Sequence, residues 1–199
     1  MERAVSARVV RGAAVVAAAL CVLSTIAFGL WLPGYSQLAH PVALLGARGI
    51  AHAAAFNVCA FVLPGLAAAW VCWRLRSGMP AQAGFAARIG AGLTVLAALA
   101  FALQGVLPLD PEDLEATVSR AHAAAWTAWW IAFAAGACAL AFGREGRPRS
   151  RAWAVGCMLA AVVVASSALL AWPWTPSAVT QRVAFAAWFA WLWCAARHA

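Results

Sequence analysis

The chain has 199 residues, 66% of them hydrophobic and 10% charged, with a formal charge of +8 and a mean hydropathy of +0.84. So few charges cannot cover a water-soluble surface of this size, and lipid must supply the covering instead. Nor does the positive charge point to nucleic acid, because a nucleic-acid domain gathers its basic residues on one face or helix, whereas these fall between apolar runs.

Arg3, Arg8 and Arg11 precede the first apolar run, Gly12–Leu32, in a pattern that resembles a signal peptide. The run exceeds the roughly 7–15 residues of a signal core, and Leu20 before Cys21 spoils a lipoprotein cleavage site, so the segment is expected to be retained as a first transmembrane helix. Five further runs follow: Ile50–Trp73, Ile89–Leu107, Ala121–Phe142, Ala152–Trp172 and about Ala178–Ala196. Each is near the ~20 residues that cross a hydrocarbon core of ~30 Å. The last is the weakest, since Arg182 and Arg197 bracket its uncharged stretch and must snorkel for it to span.

Orientation follows from arginine, which supplies every basic residue of the chain. With the N-terminus inside, Arg3, Arg8, Arg11, Arg74, Arg76, Arg88, Arg144, Arg147, Arg149, Arg151 and Arg197 lie inside, and only Arg48, Arg120 and Arg182 lie outside. That asymmetry predicts cytoplasmic termini. The fold class expected is therefore all-α: one six-helix transmembrane domain over residues 1–199, built as three in-out-in hairpins. Outgoing helices end at Leu32-Pro33, Leu107-Pro108 and Trp172-Pro173, and return helices begin near Arg48, Arg120 and Arg182. The stretches Ala51-His52-Ala53-Ala54-Ala55-Phe56, Ala121-His122-Ala123-Ala124-Ala125-Trp126 and Ala184-Phe185-Ala186-Ala187-Trp188 look like a threefold repeat, with chance similarity in an Ala-rich chain as the rival. If real, it makes His52 and His122 equivalent, with Phe185 in the third place.

Cys21, Cys59, Cys72, Cys138, Cys157 and Cys194 form no C-x-x-C pair, and none falls in an expected outer loop, so they read as small apolar residues. The tryptophans mostly mark the two interfaces, Trp31, Trp172 and Trp174 outside and Trp73, Trp153, Trp191 and Trp193 inside. Trp126, Trp129 and Trp130 run inward from His122 and are read as packing. No nucleophile elbow and no glycine-rich phosphate loop is present.

Polar residues gather at the expected outer end: Tyr35, Ser36, Gln37, His40, Arg48, His52, Asn57, Gln104, Asp110, His122, Thr180, Gln181 and Arg182. Polar groups in hydrocarbon are costly, so such a set reads either as helix-end anchors or as a ligand site. Arg48 and His52, four apart, would share a helix face, and Asp110 is the nearest acid for an inward-turned Arg182. His40, His52, His122 and Asp110 are suitable zinc donors but lack an H-x-x-x-H or H-E-x-x-H spacing. His52 and His122 could also serve as axial ligands of a haem.

The outer motifs carry a family resemblance. Pro33-Gly34-Tyr35-Ser36 with His40-Pro41, Leu45-Gly46-Ala47 and Phe56-Asn57, then Val106-Leu107-Pro108-Leu109-Asp110 leading to Ala121-His122-Ala123-Ala124, then Gln181-Arg182 with Trp188 and Trp191, resemble the bacterial domain-of-unknown-function 998 family of integral membrane proteins. The resemblance implies the same six helices, assigns no reaction, and marks Tyr35, Ser36, Asp110, His122 and Arg182 as recurring positions. Where that pattern has Ser-Glu before Leu-Gly, this chain has Ala43-Leu44, so a role for that glutamate does not transfer.

The function expected is that of a bacterial inner-membrane protein with an outward-facing polar pocket for a small ligand or lipid headgroup. Tyr35, Ser36, His40, Arg48, His52, Asp110, His122 and Arg182 are its candidate ligand-binding residues; the lipid bilayer is its partner and nucleic acid is not. Whether it is an enzyme, and which cofactor it holds, the sequence leaves open. A membrane-embedded metal-dependent hydrolase or lipid-modifying enzyme is the alternative, and a haem-binding electron carrier the third reading.

Overall fold

The computed structural model describes residues 2–143, 150–170 and 175–199, with side chains from residue 7 onward. Among them every regular element is helical: α1 Glu2–Trp31, α2 Ala53–Ser77, α3 Phe85–Val106, α4 Thr117–Phe142, α5 Arg151–Leu169 and α6 Ser177–Ala195. A short 3-10 turn, Val42–Gly46, lies in the loop between α1 and α2. Helices α1 to α5 are long and apolar enough to cross a membrane. With α6 they make an all-helical, multi-pass membrane fold. Helix α6 falls outside that group because Gln181 and Arg182 sit in its first turns and tryptophan repeats through its second half.

Chain chemistry explains where the helices stop and bend. Pro108 follows Leu107, the C-cap of α3, and removes the N–H that would continue the ladder. Ser150 caps α5 by accepting from the Trp153 N–H at 3.1 Å. Inside α2 the stretch Val58–Val62 widens into a π turn. Pro64 lies just beyond; it has no N–H for the Ala60 carbonyl, and its ring pushes that carbonyl away, which widens the turn.

Each helix packs on its neighbours in sequence, and the contact of α3 with α4 is the most extensive. There Gly90 and Gly136 meet face to face: a Cβ on Gly136 would stand 2.9 Å from the Gly90 carbonyl oxygen, and one on Gly90 2.8 Å from the Gly136 oxygen. Small residues let the backbones approach where lipid removes any hydrophobic drive to associate. Deeper in the bundle, Phe61 of α2, Phe101 of α3, Trp129 of α4 and Trp188 of α6 are fully buried. Phe101 stands 5.3 Å from Phe61 and 4.5 Å from Trp188, centroid to centroid, and Trp129 lies 5.6 Å from Trp188. Trp129 is thus a packing residue. The seam between α1 and α6 is much thinner than the sequential contacts, and α1 is the least buried of the five apolar helices. Large apolar side chains such as Leu23, Leu30, Leu96 and Leu159 are exposed around the bundle, as a lipid-facing surface requires.

Two local expectations are corrected. Arg48 and His52 do not share a helix face, because Gly49 at φ 79° turns the chain and α2 begins only at Ala53. His52 itself takes a left-handed conformation, φ 61° and ψ 15°, at the helix entrance. The three Ala-rich stretches also differ in register. His52 precedes its helix, His122 lies one turn into α4 from Thr117, and Phe185 lies deeper in α6 from Ser177. Among the described residues no two cysteines are joined by a disulfide.

Candidate functional site: a polar cluster at one end of the bundle

The loop between α1 and α2, the loop between α3 and α4, and the start of α6 meet at one end. Arg182, in the second turn of α6, turns towards the first of these loops. Its Nη2 donates to the Tyr35 hydroxyl at 2.7 Å and to Gln37 Oε1 at 2.8 Å. Its Nη1 donates to the carbonyls of Ala178 at 2.7 Å and His40 at 3.1 Å, and its Nε to Gln37 Oε1 at 3.3 Å. Every guanidinium N–H is therefore used, and every acceptor is neutral. No carboxylate of the described residues pairs with Arg182. The expectation that Asp110 would do so is corrected: Asp110 faces Arg48, with Oδ2 3.7 Å from Nη1. The first loop, folded back over α1, supplies three of the four oxygens around Arg182, and Ala178 of α6 supplies the fourth.

The loop is held for that purpose by its own sequence. The Ser36 hydroxyl accepts from the N–H groups of Leu38 and Ala39, both at 3.3 Å, and the Ser36 N–H donates to His40 Nδ1 at 3.0 Å. Neutral His40 then carries its proton on Nε2. Gln37 Nε2 donates to the Thr25 carbonyl of α1 at 2.9 Å, through the space that Gly29 leaves; a Cβ there would collide with it. Gln181 Oε1 accepts from the Val42 N–H at 2.9 Å. Buried Asn57 donates to the Gly46 carbonyl at 2.8 Å, and a Cβ on Gly46 would overlap its side chain. Half-buried Tyr35 directs its hydroxyl at the His40 and Pro41 carbonyls over long bonds of 3.4 and 3.3 Å. Burial raises the Tyr35 phenol above its ordinary pKa, and the charge and hydrogen bond of Arg182 act against that rise.

Beside this cluster stands a second. The Arg48 N–H donates to the Leu109 carbonyl at 2.8 Å, joining the two loops. Asp110 Oδ1 accepts from the N–H of Glu112 at 3.1 Å, and the Ser119 hydroxyl accepts from the Asp110 N–H at 3.1 Å. His122, buried, sets Nδ1 2.7 Å from the Leu107 carbonyl and 3.2 Å from that of Gln104. Only a protonated Nδ1 can serve two carbonyls, so the imidazole donates there. The Gln104 oxygen is the acceptor that a non-proline residue at Pro108 would have satisfied. His122 thus closes the end of α3.

A family model described as "Protein of unknown function (DUF998)" matches residues 15–198. The chain belongs to that family. No curated protein and no solved structure matches it at a significant level. The DUF998 stretches separated in sequence, Pro33 to Pro41 and Gln181-Arg182, are those that interlock around the guanidinium.

Of the expected site residues, Tyr35, Ser36, His40 and Arg182 form the first cluster; Arg48 and Asp110 form the second, with His122 next to it. His52 joins neither, being exposed and stacked on Trp31 with centroids 4.4 Å apart. Among the described residues no three His, Cys, Asp or Glu side chains meet as a metal site would require. His40, His52, His122 and Asp110 each engage separate partners. Gln37, Gln181 and Asn57 carry more of the geometry than their place in a list of polar residues suggests, and Ser119 gives no sequence signal because its role depends on how the loop folds. Trp172 and Trp174, placed at the outer boundary from sequence, and Arg144, Arg147 and Arg149, placed inside, lie outside the described residues.

Proposed function

We propose that this DUF998 protein is a six-span bacterial inner-membrane protein with cytoplasmic termini, whose outward end binds an anionic group, as a small ligand or a lipid headgroup, through Arg182. The observation that carries this reading is a half-buried cation surrounded only by neutral oxygens. Hydrogen bonding of the guanidinium is complete, yet its charge is not balanced, and in surroundings of reduced dielectric such a charge attracts an anion. An anionic oxygen gains most by displacing Gln37 Oε1, which two guanidinium nitrogens share, or the Tyr35 hydroxyl, which then donates to it. The arginine count supports the outward orientation.

The substitution Gln37→Glu supplies the missing anion from within: a carboxylate accepts the same guanidinium bonds more strongly, which offsets the loss of the Gln37 Nε2 bond to the Thr25 carbonyl. Calorimetric titration of the detergent-purified protein with glycerol phosphate is expected to show binding by the parent and binding at least about tenfold weaker in Gln37→Glu, with cooperative thermal unfolding retained. A tenfold loss is about 1.4 kcal/mol, within the range of one charge-assisted hydrogen bond. Equal affinities in the two proteins would overturn the reading.

A further inference from the structure

We infer that the anion bound at Arg182 is the headgroup of an anionic lipid, and that one of its acyl chains lies in the seam between α1 and α6. This rests on the reading of Arg182 proposed above and names the chemical class of the ligand. The seam contains a cavity of about 340 Å³ lined on one wall by Ala18, Cys21, Val22, Thr25 and Ile26 of α1 and on the other by Phe185, Ala186 and Phe189 of α6, with Gln37, Val42 and Arg182 also lining it. Arg182 and Gln37 mark its polar end, because Gln37 binds both the guanidinium and Thr25, on the turn of α1 nearest the loop. From there the walls are apolar for about two turns of each helix, Ala18 to Ile26 and Arg182 to Phe189, or roughly 12 Å at 1.5 Å per residue.

Three features select an amphiphile over a soluble anion. The walls offer no polar partner beyond the first turn, so a wholly polar ligand would leave most of the cavity unused. Val22, Ile26 and Ala186 are exposed on the outside of the bundle, which opens the seam sideways to lipid. The unbalanced charge sits at one end only, which is the charge pattern of an anionic lipid. Hydrocarbon gains little by leaving the bilayer for an apolar groove, so the tail supplies fit and the headgroup supplies discrimination. A zwitterionic lipid, whose own cation must also approach Arg182, is held less well.

The test places the full chain in nanodiscs of phosphatidylcholine doped with phosphatidylglycerol and counts retained lipids by native mass spectrometry. Parent protein, Gln37→Glu and Ala186→Trp are compared, Ala186 being exposed one turn inward from Arg182, so that an indole there fills the groove without entering the core. The parent is expected to retain one phosphatidylglycerol at least about tenfold in preference to phosphatidylcholine. Gln37→Glu is expected to lose the preference. Ala186→Trp is expected to lose the retained lipid yet bind glycerol phosphate as the parent does. If Ala186→Trp keeps its lipid while Gln37→Glu loses it, the headgroup reading stands and the groove assignment is overturned. If both variants retain phosphatidylglycerol like the parent, both fail, as they do if the parent shows no preference.

Discussion

At Arg182 five N–H groups end on four neutral oxygens drawn from a loop and a helix turn. Replacement by glutamine removes the bonds that join α6 to the first loop, and a loss of about 2–4 kcal/mol is expected from charge-assisted bonds at a half-buried site. Chemical denaturation in a fixed detergent checks it; a loss below about 0.5 kcal/mol would make the cluster ornamental. Tyr35 gives an independent readout, since it is the chain's one tyrosine. Its phenol is expected to titrate above the ordinary value of 10.0, and Arg182→Gln to move it further up, because the cation favours the phenolate. The folded state holds that proton more tightly than the unfolded chain, so the contribution of Tyr35 is fully present below pH 10.0 and declines as pH rises through the raised value. A tyrosinate titration at or below 10.0 would show that the side chain is not buried as described. Asp110 differs from its acidic neighbours in facing Arg48, and unlike Glu112 it also accepts a loop N–H. The ion pair is long and partly exposed and contributes little, but the turn bonds add about 1 kcal/mol. Asp110→Ala is therefore expected to melt below Glu112→Ala in the same detergent, and identical melting would remove that distinction.

At the scale of helices, the small-residue crossing of α3 and α4 makes Gly136 intolerant of side chains. Gly136→Leu is expected to lower thermal stability by several kcal/mol through backbone separation. Gly156→Ala on α5, where a Cβ would meet nothing within 4 Å, is expected to be neutral or slightly stabilising through helix propensity. Similar melting curves for the two would place the α3–α4 contact elsewhere. Hydropathy made the helices themselves legible: the run Ala121–Phe142 became α4 from Thr117, and Ile89–Leu107 became α3 from Phe85. Apolar runs mark where lipid is met, whereas helix starts depend on turns and caps: the apolar run begins at Ile50, but Gly49 and His52 hold the chain in a turn as far as Ala53. The inward turn of Arg182 was legible in its cost to lipid. Its partners were not, because Asp110 and Gln37 are both available in sequence and only the loop's path over α1 decides between them. His122 was legible from the apparent repeat, from the outer polar set and from the resemblance; its role follows from Pro108, whose missing N–H leaves a carbonyl for the imidazole.

For the whole molecule, the proposal depends on which side of the membrane the Arg182 end faces and on whether α6 crosses it. The side is argued from arginine placement, and the crossing from the packing of α6 against the core aromatics of α3 and α4. Both are tested at once by dual-reporter fusions placed after Gln37, Arg76, Glu115, Arg149 and Ala199. The account predicts external signals after Gln37 and Glu115 and cytoplasmic signals after Arg76, Arg149 and Ala199. A cytoplasmic signal after Glu115, or an external one after Ala199, would contradict it.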